Sequence, residues 1–379
     1  MAPKTATMAE LWTHWQKRAQ RGAHPFQFAP YEDVESAMAK IIPVFEGDHE
    51  ASTREFSVVA APHRERARAF EAKGDKAAAR DSYLKAFALY RMARFPTQFT
   101  EGKREAYRNS QDCLIRAHAL GPVPIRRVEM PFKGRAGEGD KVIGYLRMPP
   151  GKKKVPVLVA WAGVDSFKED FLGATDPLLE RGAATLTIDM PGTGDSPIVG
   201  SEDGERQWTA VFDWIAKQPE LDASRVCAWG GSFGGYWATK VAHTHREYLA
   251  GMVSQGGGAH LVFQHDWVAM SQERAGLPWG ISEMRGNSFG RPSYDGWYEF
   301  APRLSLLDQG VLDKPCAPLL CINGVKDVLT PIEDYYIVLR HGNAKTARFY
   351  PGGHMGSSPE GVDEPKPVIV AWLSEKLGL

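Results

Sequence analysis

Short apolar runs that end in glycine or a polar turn alternate with helical spacing over the last two thirds of the chain. The runs cover residues 155–161, 225–229 and 318–324, and each has the length and composition of a buried strand. Helical spacing follows over 236–242 and closes the chain over 368–377. Strands that alternate with helices in this way predict an α/β fold with a mostly parallel, twisted sheet flanked by helices.

The first part of the chain differs, because its apolar residues recur only at helical spacing. Pro122 and Pro124 close this part, and an alternating hairpin over 128–148 opens the next. We therefore predict an N-terminal helical cap domain over 1–122 and a catalytic α/β domain over 123–379. The predicted helices of the cap cover residues 10–15, 34–45, 63–73, 76–94 and 101–119.

A segment rich in aromatic residues, 257–315, interrupts the alternation of strands and helices before the last strands. We interpret it as a helical insertion that covers the active site. Most of its aromatic side chains are expected to pack the insertion onto the sheet, and some are expected to line the pocket. These residues are Phe263, Trp267, Trp279, Phe289, Trp297, Tyr298 and Phe300.

Ser232 is the strongest candidate for a catalytic residue, because it stands in a Gly-x-Ser-x-Gly sequence between a predicted strand and a predicted helix. This is the sequence form of a nucleophile elbow, a tight turn that strains the serine backbone and leaves no room for side chains at its flanks. Gly230 and Gly234 meet that requirement. The motif is short, so the assignment depends on the residues that follow it.

An acid and then a histidine follow Ser232 in the order that an acyl-transfer triad on this fold requires. Asp327 lies just past an apolar run, and His354 lies in a glycine-rich loop near the end of the sequence. We predict that His354 takes the serine proton and that Asp327 fixes the tautomer of the imidazole and stabilises the imidazolium. Glu333 and Asp334 are near enough to Asp327 in sequence to serve as the acid instead.

The loop after the apolar run 155–161 supplies a candidate oxyanion hole. The backbone N–H of Val164, which follows a glycine, and that of Phe233 are expected to meet at the developing oxyanion. With Trp161 and Trp267 as predicted substrate contacts, the pocket is expected to be apolar and aromatic. Such a pocket favours a bulky, largely uncharged substrate over a sugar phosphate or a charged peptide.

The order of these motifs resembles that of the α/β-hydrolase superfamily over 123–379. Within it, the chain resembles the fermentation-respiration-switch esterase group, which includes 2,6-dihydroxypseudooxynicotine hydrolase and the fungal polyketide-shortening hydrolases. Members of that group carry a helical region before the hydrolase core. The motifs that fall in register are Ala162-Gly-Val-Asp-Ser166, Ile188-Asp-Met-Pro-Gly-Thr-Gly194, Gly230-Gly-Ser-Phe-Gly-Gly-Tyr236, Asn323-Gly-Val-Lys-Asp327 and Gly352-Gly-His354.

The resemblance implies a serine hydrolase that forms an acyl-enzyme. The bond cleaved is either a carboxyl ester or a C–C bond next to a ketone, since one triad serves both, and the resemblance favours a ketone-type or polyketide-like substrate. A simple carboxylesterase or an acyltransferase on the same triad is an alternative. A catalytically idle protein that binds a partner through its helical domain is another, which the complete set of triad residues disfavours.

Composition narrows the classes of function. The chain carries 46 basic and 46 acidic residues, so no excess of positive charge favours nucleic acid or an anionic membrane. It lacks both an apolar run of about 18 residues and the apolar stretch of a signal peptide, so we expect a soluble, cytoplasmic protein. The four cysteines show no metal-site spacing, and we predict neither a metal nor a cofactor. The expected partner is a small-molecule substrate, and a homodimer is compatible with the sequence.

Overall fold

The computed structural model describes residues 3, 5–97, 99–358 and 364–379, and the chain divides into two compact units. The helical unit extends to Ile125 and includes Gly276–Gly280. The sheet unit comprises Arg126–Ala275 and Ile281–Leu379. Within the described residues, no helix combines the length and the apolarity that a membrane crossing needs.

Five α-helices build the described part of the helical unit. Three of them begin after Thr7, Asp75 or Thr100, whose side-chain oxygen accepts a hydrogen bond from a backbone N–H of the first turn. The apolar faces of the helices meet in a core that includes Trp15, Phe45 and Tyr83, each 6% exposed or less. The helices are α1 (Met8–Gln20), α2 (Tyr31–Ile41), α3 (Ala51–Ala72), α4 (Lys76–Arg94) and α5 (Glu101–Ala119).

Helix α3 begins at Ala51, whereas the sequence pattern predicted a start at His63. The prediction was wrong because Pro62, which removes one backbone hydrogen bond, lies inside the helix. Pro62 is exposed, and so is Val58, whose carbonyl loses its helical partner. Water can therefore satisfy that carbonyl, and the helix continues past the proline.

The sheet unit contains an eight-stranded sheet in the order β1-β2-β4-β3-β5-β6-β7-β8. The first two strands form the predicted antiparallel hairpin and β2 pairs antiparallel with β4, while every later pairing is parallel. This confirms the predicted mostly parallel sheet. The strands are β1 (Arg126–Pro131), β2 (Lys141–Arg147), β3 (Val155–Trp161), β4 (Ala184–Ile188), β5 (Leu221–Gly231), β6 (Gly251–Gln255), β7 (Leu319–Gly324) and β8 (Thr346–Tyr350).

Helices flank the sheet, and the stretch between β6 and β7, residues 257–315, carries three of them. We call this stretch the insertion. The carboxyl ends of the parallel strands share one edge of the sheet, which is where ligands bind in open α/β folds. The helices of the sheet unit are α6 (Lys168–Arg181), α7 (Arg206–Ala216), α8 (Gly234–Thr244), α9 (His265–Arg274), α10 (Ile281–Ser288), α11 (Tyr294–Phe300), α12 (Ile332–Arg340) and α13 (Lys366–Leu377).

Candidate active site

Ser232 lies in the turn between β5 and α8, and its backbone is strained. Its φ angle is 57°, in the left-handed region that a residue with a side chain rarely adopts. Glycines make the turn possible, because a Cβ added at Gly230 would lie 2.2 Å from the Gly234 carbonyl oxygen and one at Gly234 would lie 2.3 Å from that of Ala162. The turn therefore has the geometry of a nucleophile elbow.

The structure brings Ser232, His354 and Asp327 together from the carboxyl ends of three different strands. Ser232 Oγ lies 2.8 Å from His354 Nε2, and His354 Nδ1 lies 2.7 Å from Asp327 Oδ2. We call these residues the candidate triad. The arrangement allows the imidazole to accept the serine proton while the carboxylate holds the other ring nitrogen.

Asp327 is held as a carboxylate at the buried end of this chain. Its side chain is fully enclosed, whereas that of His354 keeps 25% of its surface exposed. Burial by itself raises the pKa of Asp327, but the charge of His354 and hydrogen bonds from His354, Asn323 and Leu329 outweigh burial and leave that pKa below its usual range. The acid therefore stays ionised and able to stabilise an imidazolium.

Of the two alternative acids, Asp334 is held elsewhere. Its carboxylate accepts hydrogen bonds from the backbone N–H groups of His260, Leu261 and Val262, at 2.9, 2.7 and 3.0 Å. It thus anchors the start of the insertion to α12. Among the described contacts, neither Asp334 nor Glu333 bonds to His354.

The predicted oxyanion donors lie beside Ser232. A Cβ added at Gly163 would lie 2.8 Å from Ser232 Cβ and 3.2 Å from the backbone nitrogen of Phe233, so the loop after β3 passes directly against the elbow. Within the described part of the chain, the N–H groups of Val164 and Phe233 donate no hydrogen bond to protein. Two unused amides beside a nucleophile suit an oxyanion hole.

A pocket with about 340 Å³ of empty volume opens at Ser232. Most of its wall is apolar or aromatic, as the sequence predicted. The lining residues are Val164, Ser232, Phe233, Tyr236, Gly256, Gly258, Val262, Phe263, Ile281, Arg285, Leu329, Thr330 and His354.

The two tryptophans predicted to contact substrate do not line this pocket. Trp161 is fully buried, donates from Nε1 to the Gly234 carbonyl at 2.8 Å and packs on Trp208, so it supports the elbow from behind. Trp267 is half-buried and donates to the Leu329 carbonyl at 3.2 Å, so it holds a rim loop. The prediction for Trp161 is wrong, because a position in sequence does not tell on which side of the backbone a side chain packs, and the prediction for Trp267 stays a prediction.

Sequence reasoning missed Asn323, which links the acid to the histidine loop. Its amide donates to Asp327 Oδ2 at 2.9 Å and its side-chain oxygen accepts from the Met355 N–H at 3.0 Å. The sequence signal was the Asn-Gly pair, which was interpreted only as the end of a strand. A second missed residue, Arg285, lines the pocket and had no signal in the sequence.

Neither the site nor the rest of the described chain offers a group of three or more His, Cys, Asp or Glu side chains that could hold a metal. The four cysteines, all described, are buried free thiols. Burial raises the pKa of Cys321 to about 12, which keeps this thiol protonated. These cysteines therefore behave as small apolar residues.

The model of the family described as "Esterase FrsA-like" matches residues 50–348. The sequence is 25% identical over 332 residues to the Esterase FrsA of Photobacterium profundum, with coverage of 85% of this chain and 76% of that protein. It is 26% identical over 263 residues to the Esterase FrsA of Vibrio vulnificus, with coverage of 67% and 59%. A third match, to the Esterase FrsA of an Enterobacter species, covers 51% of that relative. The chain thus spans from about half to about three quarters of the length of these relatives.

The fold is similar to that of two solved structures over nearly its whole length. The crystal structure of the 2,6-dihydroxy-pseudo-oxynicotine hydrolase matches with a TM-score of 0.74 and 22% identity, covering 96% of this chain and 95% of that one. AbyA5 matches with a TM-score of 0.74 and 20% identity, covering 97% and 95%. Together with the sheet order, these matches confirm the predicted α/β-hydrolase fold class.

Proposed function

This chain belongs to the FrsA-like esterase family and is a hydrolase, and on that premise we propose that it cleaves a carboxyl ester through an acyl-enzyme on Ser232. One observation carries the proposal: the unbroken hydrogen-bonded chain from Asp327 through His354 to Ser232 Oγ, with distances of 2.7 and 2.8 Å. Serine becomes a nucleophile only when a base is placed to accept its proton, and this chain provides that base.

In the first half-reaction, Ser232 Oγ attacks the ester carbonyl carbon while His354 Nε2 takes the hydroxyl proton. The carbonyl oxygen becomes an oxyanion, and the N–H groups of Val164 and Phe233 are placed to stabilise it. The tetrahedral intermediate collapses, His354 returns the proton to the leaving alkoxide, and an alcohol departs. Asp327 keeps the Nδ1 proton on the ring throughout.

In the second half-reaction, His354 takes a proton from water, which attacks the acyl-enzyme and releases the acid. His354 then returns the proton to Ser232. Both half-reactions use the same donors and the same base, so the site needs no rearrangement between them. The pocket at Ser232, with its aromatic wall of Phe233, Tyr236 and Phe263, receives part of the substrate.

Cleavage of a C–C bond next to a ketone is the second candidate. It uses the same attack by Ser232, but the group that departs is a carbanion stabilised by a neighbouring carbonyl, and His354 protonates carbon instead of oxygen. The observation that favours it is the match over 96% of this chain to the 2,6-dihydroxy-pseudo-oxynicotine hydrolase, whose name describes a substrate that is not a simple ester.

Two measurements on the purified protein test the proposal. A fluorophosphonate probe should label Ser232 with one equivalent, and Ser232→Ala should abolish both labelling and turnover, with a loss on the order of 10⁴-fold or more. A matched pair of substrates, an aryl ester and an aryl β-diketone, separates the first candidate from the second. Added alcohol acceptors that divert the acyl group without raising its total release would indicate an acyltransferase.

Ser201→Ala is the control, because Ser201 is a half-buried serine that hydrogen-bonds Asp203 away from the pocket. It should leave labelling and turnover unchanged. If Ser232→Ala kept most of the turnover of the parent protein, the covalent mechanism would be excluded.

A further inference from the structure

Four Lys and Arg side chains are buried among the described residues of the sheet unit: Arg147, Lys168, Lys240 and Arg285. Burying a cation without a counter-charge is costly, so buried cations in proteins are normally paired. Three of the four follow this rule. Arg147 lies 2.7 Å from Asp176, Lys168 lies within 3.0 Å of three carboxylates, and Lys240 lies 3.2 Å from Glu205.

Arg285 is the exception, since no described carboxylate lies within ion-pair distance of it. It is 5% exposed, on α10, and it lines the pocket that holds Ser232. Its one hydrogen bond to the described residues runs from Nη2 to the Leu329 carbonyl at 2.9 Å. A guanidinium has five N–H donors, so most of its donors are unused by the described protein. The Arg285 nitrogens that make no hydrogen bond are not among the unbonded side-chain atoms that are closed off from solvent, so they keep solvent-accessible surface.

The charge of Arg285 persists despite its burial. Removal from water lowers its pKa to about 10, and the attraction of Asp327 partly offsets that effect. At neutral pH the side chain is therefore still a cation. The carboxylate of Asp327 is itself taken up by His354, Asn323 and the Leu329 N–H, so it does not neutralise Arg285 directly.

We propose that Arg285 is a specificity-determining residue that binds a carboxylate on the part of the substrate occupying the Ser232 pocket. The planar guanidinium presents two parallel N–H groups to the two oxygens of a carboxylate, and such charge-assisted pairs are stronger than neutral hydrogen bonds. The inference rests on the proposed hydrolase function and deepens it: the substrate is a half-ester, with a free acid on one side and the scissile ester on the other. It adds a charge that the expected apolar pocket did not include.

Turnover of matched esters tests the proposal. The monomethyl esters of succinate, glutarate and adipate each carry a free carboxylate, and the corresponding primary amides are neutral with nearly the same shape. For the chain length that fits best, the wild-type protein should prefer the acid. Arg285→Gln should lower kcat/KM for that acid by about 10- to 100-fold, the range expected for a lost charged hydrogen bond, and change that for the amide by less than about threefold.

Arg274→Gln is the matched control, because Arg274 is an exposed arginine at the end of α9 and outside the pocket. It should leave both substrates unaffected. Arg285→Lys keeps the charge but loses the planar pair of N–H donors, so its kcat/KM for the acid should fall between that of wild type and that of Arg285→Gln. Equal losses on the acid and the amide in Arg285→Gln would overturn the proposal, because they would mean that Arg285 only positions the loop at Leu329.

A second measurement needs no ester turnover. Glutarate should slow fluorophosphonate labelling of Ser232 in the wild-type protein and not in Arg285→Gln. Glutaramide, which has no carboxylate, should slow labelling in neither protein. If Ser232 is not labelled at all, the proposed function fails. If Ser232 is labelled but glutarate gives no protection and the wild-type protein does not prefer the acid, the function stands and the carboxylate subsite is refuted.

Discussion

Two groups of buried charged residues lie at the carboxyl edge of the sheet, and they are completed in different ways. Beyond β3 and β4, Lys168 Nζ lies 3.0 Å from Glu169, 2.8 Å from Asp189 and 2.7 Å from Asp195. We call this group the Lys168 cluster. Every partner in it is a protein group. Beyond β5, β7 and β8, the candidate triad instead ends on Ser232 in a pocket, with an unpaired Arg285 in the same wall.

The difference indicates what each group does. A network whose partners are all protein groups is complete in the free protein, so a change in it should appear mainly in the free energy of unfolding. A network that ends at a pocket is complete only when a ligand is bound, so a change in it should appear mainly in turnover and selectivity. Burial and charge alone do not distinguish the two, whereas the identity of the last partner does.

The largest expected effect is on turnover, at the buried end of the candidate triad. Asp327→Asn should lower kcat by about 10⁴-fold with little change in substrate affinity, because an amide favours the wrong tautomer of His354. Steady-state kinetics on an aryl ester measures this. The free energy of unfolding should change little. A large loss of stability with near-normal kcat would instead give Asp327 the stabilising role that we assign to the Lys168 cluster.

Asp334→Asn is the matched comparison, since both carboxylates are buried and only seven positions apart. Asp334 holds the N–H groups of three successive residues, so an amide nitrogen there would face a donor. We expect the variant to lose about 1–3 kcal/mol of stability while kcat changes by less than tenfold. If Asp334→Asn lost most of its kcat and Asp327→Asn lost only stability, the acid of the triad would be Asp334 on α12.

The second prediction concerns the Lys168 cluster. Lys168→Met removes the cation that pairs with the buried carboxylates of Glu169 and Asp189, so the free energy of unfolding should fall by about 3–5 kcal/mol. Urea denaturation measures the loss, with the exposed Lys133→Met as the control. The kcat per folded molecule should stay within a few-fold of wild type. A fully stable Lys168→Met protein that no longer turns over substrate would contradict the distinction between the two groups.

The last prediction, whose effect is spread over a pH range, sharpens the comparison with a buried lysine in the helical unit. Lys103 is 1% exposed and donates to the Phe95 carbonyl at 2.6 Å, and burial lowers its pKa from 10.5 to about 8. A lysine whose charged form is destabilised by burial can thus lose its proton near pH 8, whereas an arginine such as Arg285 stays charged at that pH. In the folded state Lys103 binds fewer protons than in the unfolded state between these two pKa values.

Stability should therefore rise with pH from about 8 to about 10.5, by at most about 1.4 kcal/mol per pH unit, and be lost again as the pH falls through that window. Lys103→Met removes the titrating group, so the difference between wild-type and variant unfolding free energies isolates its contribution. Denaturation curves from pH 7 to pH 11 measure it. Parallel curves for the two proteins would show that Lys103 keeps its ordinary pKa.

Much of this arrangement was predictable from the sequence, because its requirements are local. A strand, a turn that tolerates no side chains and a helix specify the elbow at Ser232, and Asp327 and His354 follow at the ends of apolar runs. The structure places these three residues within hydrogen-bonding distance. Their catalytic roles stay predictions until the variants are measured.

The parts that the sequence did not predict depend on packing between distant segments. Trp161 was placed in the pocket because Val164 is near it in sequence, yet its indole enters the core. Asn323 was interpreted only as the end of a strand because its two partners lie 4 and 32 positions away along the chain. Arg285 was not identified because the lack of a counter-charge can be seen only once every neighbour is known.

The insertion, residues 257–315, separates two kinds of information along the gene. All three residues of the candidate triad and both candidate oxyanion amides are encoded outside it, whereas Val262, Phe263, Ile281 and Arg285 of the pocket wall are encoded within it. Recombination or mutation confined to the insertion could therefore change the substrate without altering a residue of the candidate triad. Laboratory evolution that randomises the insertion alone would therefore search substrate range while inheriting the reaction intact.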